Sequence, residues 1–353
     1  MIKHKKWVGK ISRYRNILIS RNNKIRLDKN ERITNFDKIF FKKFISKITS
    51  EKISSYPEVS DLYMVLSNLH KLKTNQFVLT AGVDGAIKNC FELFVSKNDK
   101  VITLNPTFAM VDVYCKIFGA KRISIHYDRK LNLNINYLSK SINRNISLII
   151  IANPNSPTGT LISHFNMEKI IKKANINNVP VLVDEAYYDF CNATVLSLLK
   201  KYNNLIISRT FSKAYGLAGL RVGYIITNTK LAKLLFNLKS MYEVNSIGVL
   251  AGIMMLKNSK IHKHYISETK KGLKILVKFL EDNNIAFLKT YANFIYINIG
   301  KKINYFYDKL YKDGILTKKG LEIKGYNSYL RITLGPPRQI NTFISKLKNF
   351  KKS

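Results

Sequence analysis

Within the segment SRTFSKAYGLAGLRVGY (208–224), Lys213 stands alone among hydroxyls, glycines and alanines, with Arg221 eight residues further on. Elsewhere in the chain lysines come in crowds. An amine becomes a nucleophile when it is partly desolvated and close to another positive charge, because both favour its neutral form. Taken alone, Lys213 could equally run its stem along apolar surface and keep its ammonium in water. Asp184 shifts the balance. It ends the apolar run VPVLVD, where an unpaired carboxylate is costly to bury. Such a carboxylate needs a cationic or proton-donating partner. A protonated pyridine ring is one and an arginine is another; a helix N-cap or a structural ion pair would be its non-catalytic uses. A lysine that forms a Schiff base and a carboxylate on a pyridinium nitrogen are together the protein's share of pyridoxal-phosphate chemistry.

A phosphate site is also available. TAGVDGAI (80–87) reads as strand, tight turn and helix start. The backbone N–H groups of Val83 and Asp84 would point outward at the positive end of a helix dipole. Thr210, Ser212 and Arg221 would add hydroxyl and guanidinium donors. The turn lacks the glycine and lysine spacing of a P-loop. The three cysteines are odd in number and widely spaced, which fits neither a disulfide framework nor a zinc knuckle. The histidines form no ligand set, so no metal is expected; HKH at 262–264 reads as a solvated helix face.

These residues need a scaffold. Short β-rich runs (76–82, 100–106, 120–127, 147–154, 180–187, 204–211 and 222–228) alternate with segments of helical spacing. Several runs are continuously apolar, as strands covered on both faces are. The alternation predicts an α/β fold with a mainly parallel sheet and right-handed crossovers. The run at 222–228 follows its predecessor after a short loop, so one pairing is expected to be antiparallel. Beyond Asn228 the pattern predicts long helices over about 230–257 and 260–280. Two strands, ANFIYINI and YLRITLG, with a helix between them, then form a smaller α+β lobe. In open parallel sheets ligands collect beyond the carboxyl ends of the strands, and there the unusual residues cluster.

The bulk numbers narrow the class. A chain of 353 residues suits two domains. No stretch approaches the roughly 18 consecutive apolar residues of a membrane helix, and no signal-peptide core follows the basic start. A cytoplasmic protein with no membrane partner is the expectation. The net charge of +38 admits nucleic-acid binding. Its basic residues are nevertheless spread from end to end, with no zinc-finger or aromatic–basic RNA-binding pattern. Compositional drift toward lysine, asparagine and isoleucine accounts for it better.

NPNSPTG, VDEAYYDF and RTFSKAYGLAGLRVGY, in this order and spacing, resemble the fold-type I pyridoxal-phosphate aminotransferases, most closely the histidinol-phosphate aminotransferases and their relatives. The resemblance runs from LDKNER (27–32) to LRITLG (330–335). It implies a seven-stranded, mainly parallel sheet, with an arm and part of the small domain at 1–45, a large cofactor-binding domain at 46–250 and a small domain at 251–353. It implies that Lys213 carries the cofactor's Schiff base and shuttles the proton. Asp184 would pair with the ring nitrogen, Tyr187 would bond the ring's phenolate oxygen, and Phe108 would stack on the ring unless it serves plain core packing. Val83, Asp84, Thr210, Ser212 and Arg221 would hold the phosphate. Tyr56 would reach the phosphate of a neighbouring subunit, which implies a homodimer.

On the substrate side the resemblance implies that Arg331 binds the donor's α-carboxylate, as its planar fork of donors suits. Asn293 would lie near the same mouth, and Asn30 and Glu31 would belong to an arm that closes over the substrate. Four places depart from the family pattern: Ser156 stands where asparagine is usual, Arg32 where a small or apolar residue is common, Lys318 where arginine helps recognise the second substrate, and SMYEVNS (240–246) replaces a more familiar segment. The implied activity is transfer of an amino group, with glutamate the expected donor, to a carbonyl acceptor, expected to be phosphorylated given Arg32, Lys318 and the positive field. Decarboxylation of a phosphorylated amino acid on the same scaffold is the alternative, and nucleic-acid binding a distant third.

Overall fold

The apolar runs form the strands of the large sheet, several of them buried along their whole length. The structure is a computed structural model that describes residues 5, 7–11, 20–321 and 323–352. Residues 1–4, 6 and 12–19 of the expected arm lie outside the described residues. Seven strands make the large sheet: β1 (Phe77–Thr80), β2 (Lys100–Asn105), β3 (Lys121–His126), β4 (Ile146–Ala152), β5 (Val181–Asp184), β6 (Leu205–Thr210) and β7 (Gly223–Thr227). Their order is β1-β7-β6-β5-β4-β2-β3. From β3 across to β6 every pairing is parallel. β7 is antiparallel to β6 and also to β1, so two pairings are antiparallel where one was expected. The cause is local. The chain from β6 to β7 carries only a short 3-10 turn, Ala218–Leu220, and no crossover helix, so the strand returns in the opposite sense. It inserts between β6 and the edge strand β1.

The carboxyl ends of β1, β2, β4, β5 and β6 therefore lie at one edge of the sheet, with the start of β7 between β1 and β6. Thr80 and Thr210 are both in register with Gly223. This edge positions the site.

The expected single helix over about 230–257 is two helices, Thr229–Leu238 and Ser246–Lys257. Asn245 starts the second in extended conformation, its side chain accepting the N–H of Gly248 at 2.7 Å, the N-cap role its short polar side chain favours. Beyond lies the helix Ser259–Asp282, which packs along Pro337–Lys352. A small antiparallel sheet has the strands β8 (Phe287–Leu288), β9 (Phe294–Asn298), β10 (Lys318–Lys319) and β11 (Tyr329–Thr333), ordered β10-β11-β9-β8. β8 and β10 are too short for their period to be legible in sequence. Ile25–Arg26 pairs in parallel with Ile315–Leu316 and so ties the arm to this region. One apolar core surrounds the large sheet; a second gathers Leu27 and Ile33 of the arm with Leu276, Phe306 and Phe343.

His262 corrects the expectation of a solvated face. It is buried, its ring centroid 4.5 Å from that of Tyr215, and burial pushes its pKa down to about 4. Residues 262, 265, 269, 272 and 276 share the inner face of Ser259–Asp282, the spacing of a helical stripe. No helix among the described residues is long and apolar enough to cross a membrane.

Candidate active site

Beyond the carboxyl ends of the strands lies a cavity of about 1230 Å³. Lys213, Asp184, Tyr187, Phe108, Val83, Asp84, Thr210, Ser212, Arg221, Asn30, Ser156, Lys318 and Arg331 all line it. Residues up to some 300 positions apart in sequence thus face one space.

Asp184 is the last residue of β5 and is 6% exposed. Its Oδ1 accepts the N–H of Ala186 at 2.9 Å. Burial pushes its pKa up to about 7, against the opposing pull of that amide and of the Lys213 charge. A carboxylate held so reluctantly as an anion lacks a cation at close range. Lys213 follows β6 and is half-buried; its Nζ donates to the carbonyl of Lys29 at 3.3 Å and stands 5.6 Å from the centroid of the Tyr187 ring. The Tyr187 hydroxyl accepts from Asn30 Nδ2 at 3.2 Å, and its ring meets Phe294 edge-on at 5.5 Å.

In the same cavity a set of anion-binding donors converges. The helix Gly82–Phe94 starts directly after β1, presenting its unpaired first-turn amides. Arg221 Nη1 donates to Ser212 Oγ at 3.3 Å, and Nη2 to the carbonyl of Ala81 at 3.1 Å. Thr210 Oγ1 accepts the N–H of Ser212 at 3.1 Å. Gly82 has φ +74°, and a Cβ there would lie 2.8 Å from Arg221 Nη2, so only glycine lets the guanidinium close on the turn. Arg221 Nη1 and Nη2 are spent on neutral oxygens only. The donor set fits a phosphate, and the buried carboxylate 184 fits a protonated ring nitrogen; pyridoxal phosphate carries both groups on one ring.

Arg331, on β11, is 6% exposed. Its Nη2 donates to the carbonyl of Asp28, its Cζ stands 5.5 Å from the Phe294 ring centroid, and its Nε is buried without a partner. A guanidinium with this much spare donor capacity suits an incoming carboxylate.

Four expected residues sit elsewhere. Asn293 does not line the cavity: it is fully buried and its Nδ2 donates to the Asn30 carbonyl at 3.1 Å, one layer behind Asn30. Glu31 is turned to Arg21 at 2.8 Å and Arg26 at 3.7 Å. Tyr56 is 72% exposed and stacks on Tyr242 with centroids 3.9 Å apart. Arg32 is packed over the rings of Tyr265 and Phe36, at 4.2 and 4.6 Å, and takes no part in the cavity's positive lining.

The sequence reading missed Arg21, Lys29, Tyr307 and Tyr311, which also line the cavity. Tyr307 and Tyr311 stand four residues apart on Ile303–Lys312, a spacing that marks one helix face without saying what it faces. It also missed the buried ion pair behind Asp184, where Arg209 donates to Glu185 Oε2 through Nε at 3.0 Å and Nη2 at 2.8 Å. Its signal was an arginine inside the apolar run LIISRT beside the acidic pair Asp184–Glu185.

Comparison with known proteins agrees with this geometry. The model of the family "Aminotransferase class I and II" matches residues 52–347. A histidinol-phosphate aminotransferase of Clostridium novyi is 32% identical over 329 residues, 92% of this chain and 91% of that protein. In fold, the chain is similar to the histidinol-phosphate aminotransferase of Sinorhizobium meliloti solved in complex with pyridoxal-5'-phosphate, with a TM-score of 0.82 at 22% identity over 92% of this chain and 91% of that one. It is also similar in fold to an L-threonine-O-3-phosphate decarboxylase of Porphyromonas gingivalis, with a TM-score of 0.77 at 20% identity over 93% of this chain and all of that one.

Proposed function

Because this chain belongs to the class I and II aminotransferases and is a pyridoxal-phosphate-dependent enzyme of that family, we propose that it is, like the relatives so named, a histidinol-phosphate aminotransferase, and that it moves an amino group between glutamate and the histidinol-phosphate pair of amine and ketone. The observation that carries the substrate reading is charge. The cavity is lined by nine lysine and arginine side chains against four aspartates, more cation than one cofactor phosphate requires. Lys29, Lys318 and Lys319, exposed in that lining, suit a second phosphate, on the substrate.

The roles follow from chemistry. The cofactor, when bound, supplies a conjugated ring that stabilises negative charge at the substrate Cα. Asp184 holds a proton on the ring nitrogen. Lys213 Nζ would hold the cofactor as nucleophile and would serve as the base that takes the substrate's Cα proton. Tyr187, oriented by Asn30, donates to the ring's phenolate oxygen. Phe108 covers a ring face. Ser212, Thr210, Arg221 and the amides of Val83 and Asp84 hold the phosphate, and Asn293 acts only through Asn30. Arg331 takes the α-carboxylate. Arg331→Ala is expected to raise KM for glutamate roughly 100-fold while changing kcat much less, since it removes a charge-assisted contact present before the chemistry. Steady-state kinetics with glutamate varied reads both constants; an unchanged KM would remove Arg331 from this role.

The test of the reading is a pair of half-reactions. Glutamate is expected to convert the bound cofactor to its amine form, followed by absorbance, and the keto counterpart of histidinol phosphate to convert it back. Release of carbon dioxide from O-phosphothreonine with no such conversion would favour a decarboxylase instead.

The same reading includes a cytoplasmic homodimer. The helices Lys38–Ile45 and Ser50–Ser54 bury no residue in the single chain. Ile39, Ile53, Tyr56 and Met241 are each more than two-thirds exposed, an apolar surface that a second copy would cover. Sedimentation is expected to report the mass of two chains; a monomer at micromolar concentration would count against it.

A further inference from the structure

The connector 239–245, between Thr229–Leu238 and Ser246–Lys257, carries a carboxylate that none of these roles uses. Glu243 Oε1 accepts the N–H of Ala81 at 2.9 Å, and its Oε2 accepts from Asn89 Nδ2 at 3.4 Å. Ala81 is the N-cap residue of Gly82–Phe94 and makes no side-chain cap. Its carbonyl accepts from Arg221 Nη2 at 3.1 Å. One residue at the head of the anion-binding turn is thus gripped through its N–H by a carboxylate and through its C=O by a guanidinium.

The grip depends on a missing side chain. A Cβ at residue 85 would lie 2.5 Å from Glu243 Oε1, a separation no carbon and oxygen tolerate. Glycine is a poor helix former, yet here it occupies the first turn, where its bare Cα admits the carboxylate. Glu243 also brings negative charge close to a site meant for a phosphate. Attraction to the ligand therefore cannot be its use, and geometry can.

We propose that Glu243, admitted by Gly85, is a positioning residue for the cofactor's phosphate: by holding the Ala81 N–H it sets the direction of the Val83 and Asp84 amides and of the Arg221 guanidinium. The proposal rests on the reading that the cavity holds pyridoxal phosphate. It predicts a defect confined to the phosphate. The full chain, stripped of cofactor, is titrated with pyridoxal phosphate and separately with pyridoxal, which lacks the phosphate. Glu243→Ala and Gly85→Ala are each expected to weaken pyridoxal phosphate roughly tenfold, while pyridoxal changes by less than about twofold. Glu243→Gln keeps an acceptor oxygen and is expected to stay within about threefold of the wild type. The double variant should bind no more weakly than either single one, because both changes remove the same contact. Equal weakening of the two ligands, additive losses in the double variant, or unchanged binding would each overturn the proposal. Should Glu243→Ala fail to fold, Gly85→Ala carries the same comparison with the carboxylate still present. Failure of the wild type to bind pyridoxal phosphate would instead overturn the cofactor assignment on which the proposal stands.

Discussion

Lys213→Ala is expected to lower the rate of the glutamate half-reaction by on the order of 10⁴-fold or more, because one side chain is assigned two tasks, nucleophile and base. The two losses do not simply multiply, since the tasks belong to one unit. The geometry makes the lysine hard to replace. Its Nζ shares the cavity with Asp184 and, among the described residues, hydrogen-bonds the Lys29 carbonyl at 3.3 Å. Among the described residues that line the cavity, no other lysine is drawn from the strand ends of the large sheet: Lys29 comes from the arm, Lys116 from the helix Ala109–Phe118, and Lys318 and Lys319 from the small sheet. Lys213→Arg is expected to fail equally, because a guanidinium keeps the charge but is neither nucleophile nor base near neutral pH. Stopped-flow absorbance measures the rate. The mass of the borohydride-treated protein reports whether the cofactor is fixed to the chain. A rate within tenfold of wild type in either variant would sink the assignment.

Asp184→Asn is expected to lower the same rate by about 10³-fold, the usual scale for removing one preorganised electrostatic partner. It should also raise stability in the cofactor-free chain. Burial lifts the pKa of Asp184 from its ordinary value near 3.8 to about 7 in the folded state. Between those values the folded chain binds more protons than the unfolded one, so stability falls as pH rises through this window. The loss begins above about pH 4 and is complete above about pH 7, where it amounts to about 4 kcal/mol. The side chain is only 6% exposed, so solvent screening does little to reduce it. Asparagine can still accept from the Ala186 N–H and carries no charge to bury. The variant without cofactor should therefore melt above the wild type at pH 8, with the gap closing toward pH 4. With cofactor bound, the order should reverse, because the wild type then has its cation. Melting curves at both pH values, with and without pyridoxal phosphate, check all four cases; a gap independent of pH would show that burial of the charge is not the cause.

These two residues were legible in sequence because their oddity is local. A lone lysine in a Gly-rich stretch and a carboxylate ending an apolar strand each break a pattern within a few residues. The strand runs were legible for the same reason, as were the helices Ser259–Asp282 and Ile303–Lys312. The boundary at 239–245 was not, since apolar residues continue on both sides of it and only the Asn245 cap interrupts them. The order of strands was only partly legible. That β7 returns antiparallel follows from the missing helix, but its insertion beside β1 depends on which edge was free.

Apolar periodicity by itself determined the α/β fold class, and the resemblance carried by three short motifs supplied the family and most of the named residues that line the cavity. They did so because secondary structure and turn chemistry are set by neighbours in the chain. Tertiary structure alone decided which candidates share a space. It drew Asn293 behind Asn30, turned Glu31 to Arg21 and Arg26, laid Arg32 on two aromatic rings and buried His262 against Tyr215. It also brought Glu243 to Ala81 across 162 positions. A hydrogen bond or an ion pair depends on separations of about 3 Å in space, and distance along the chain carries almost no information about such separations until the strands and helices have packed.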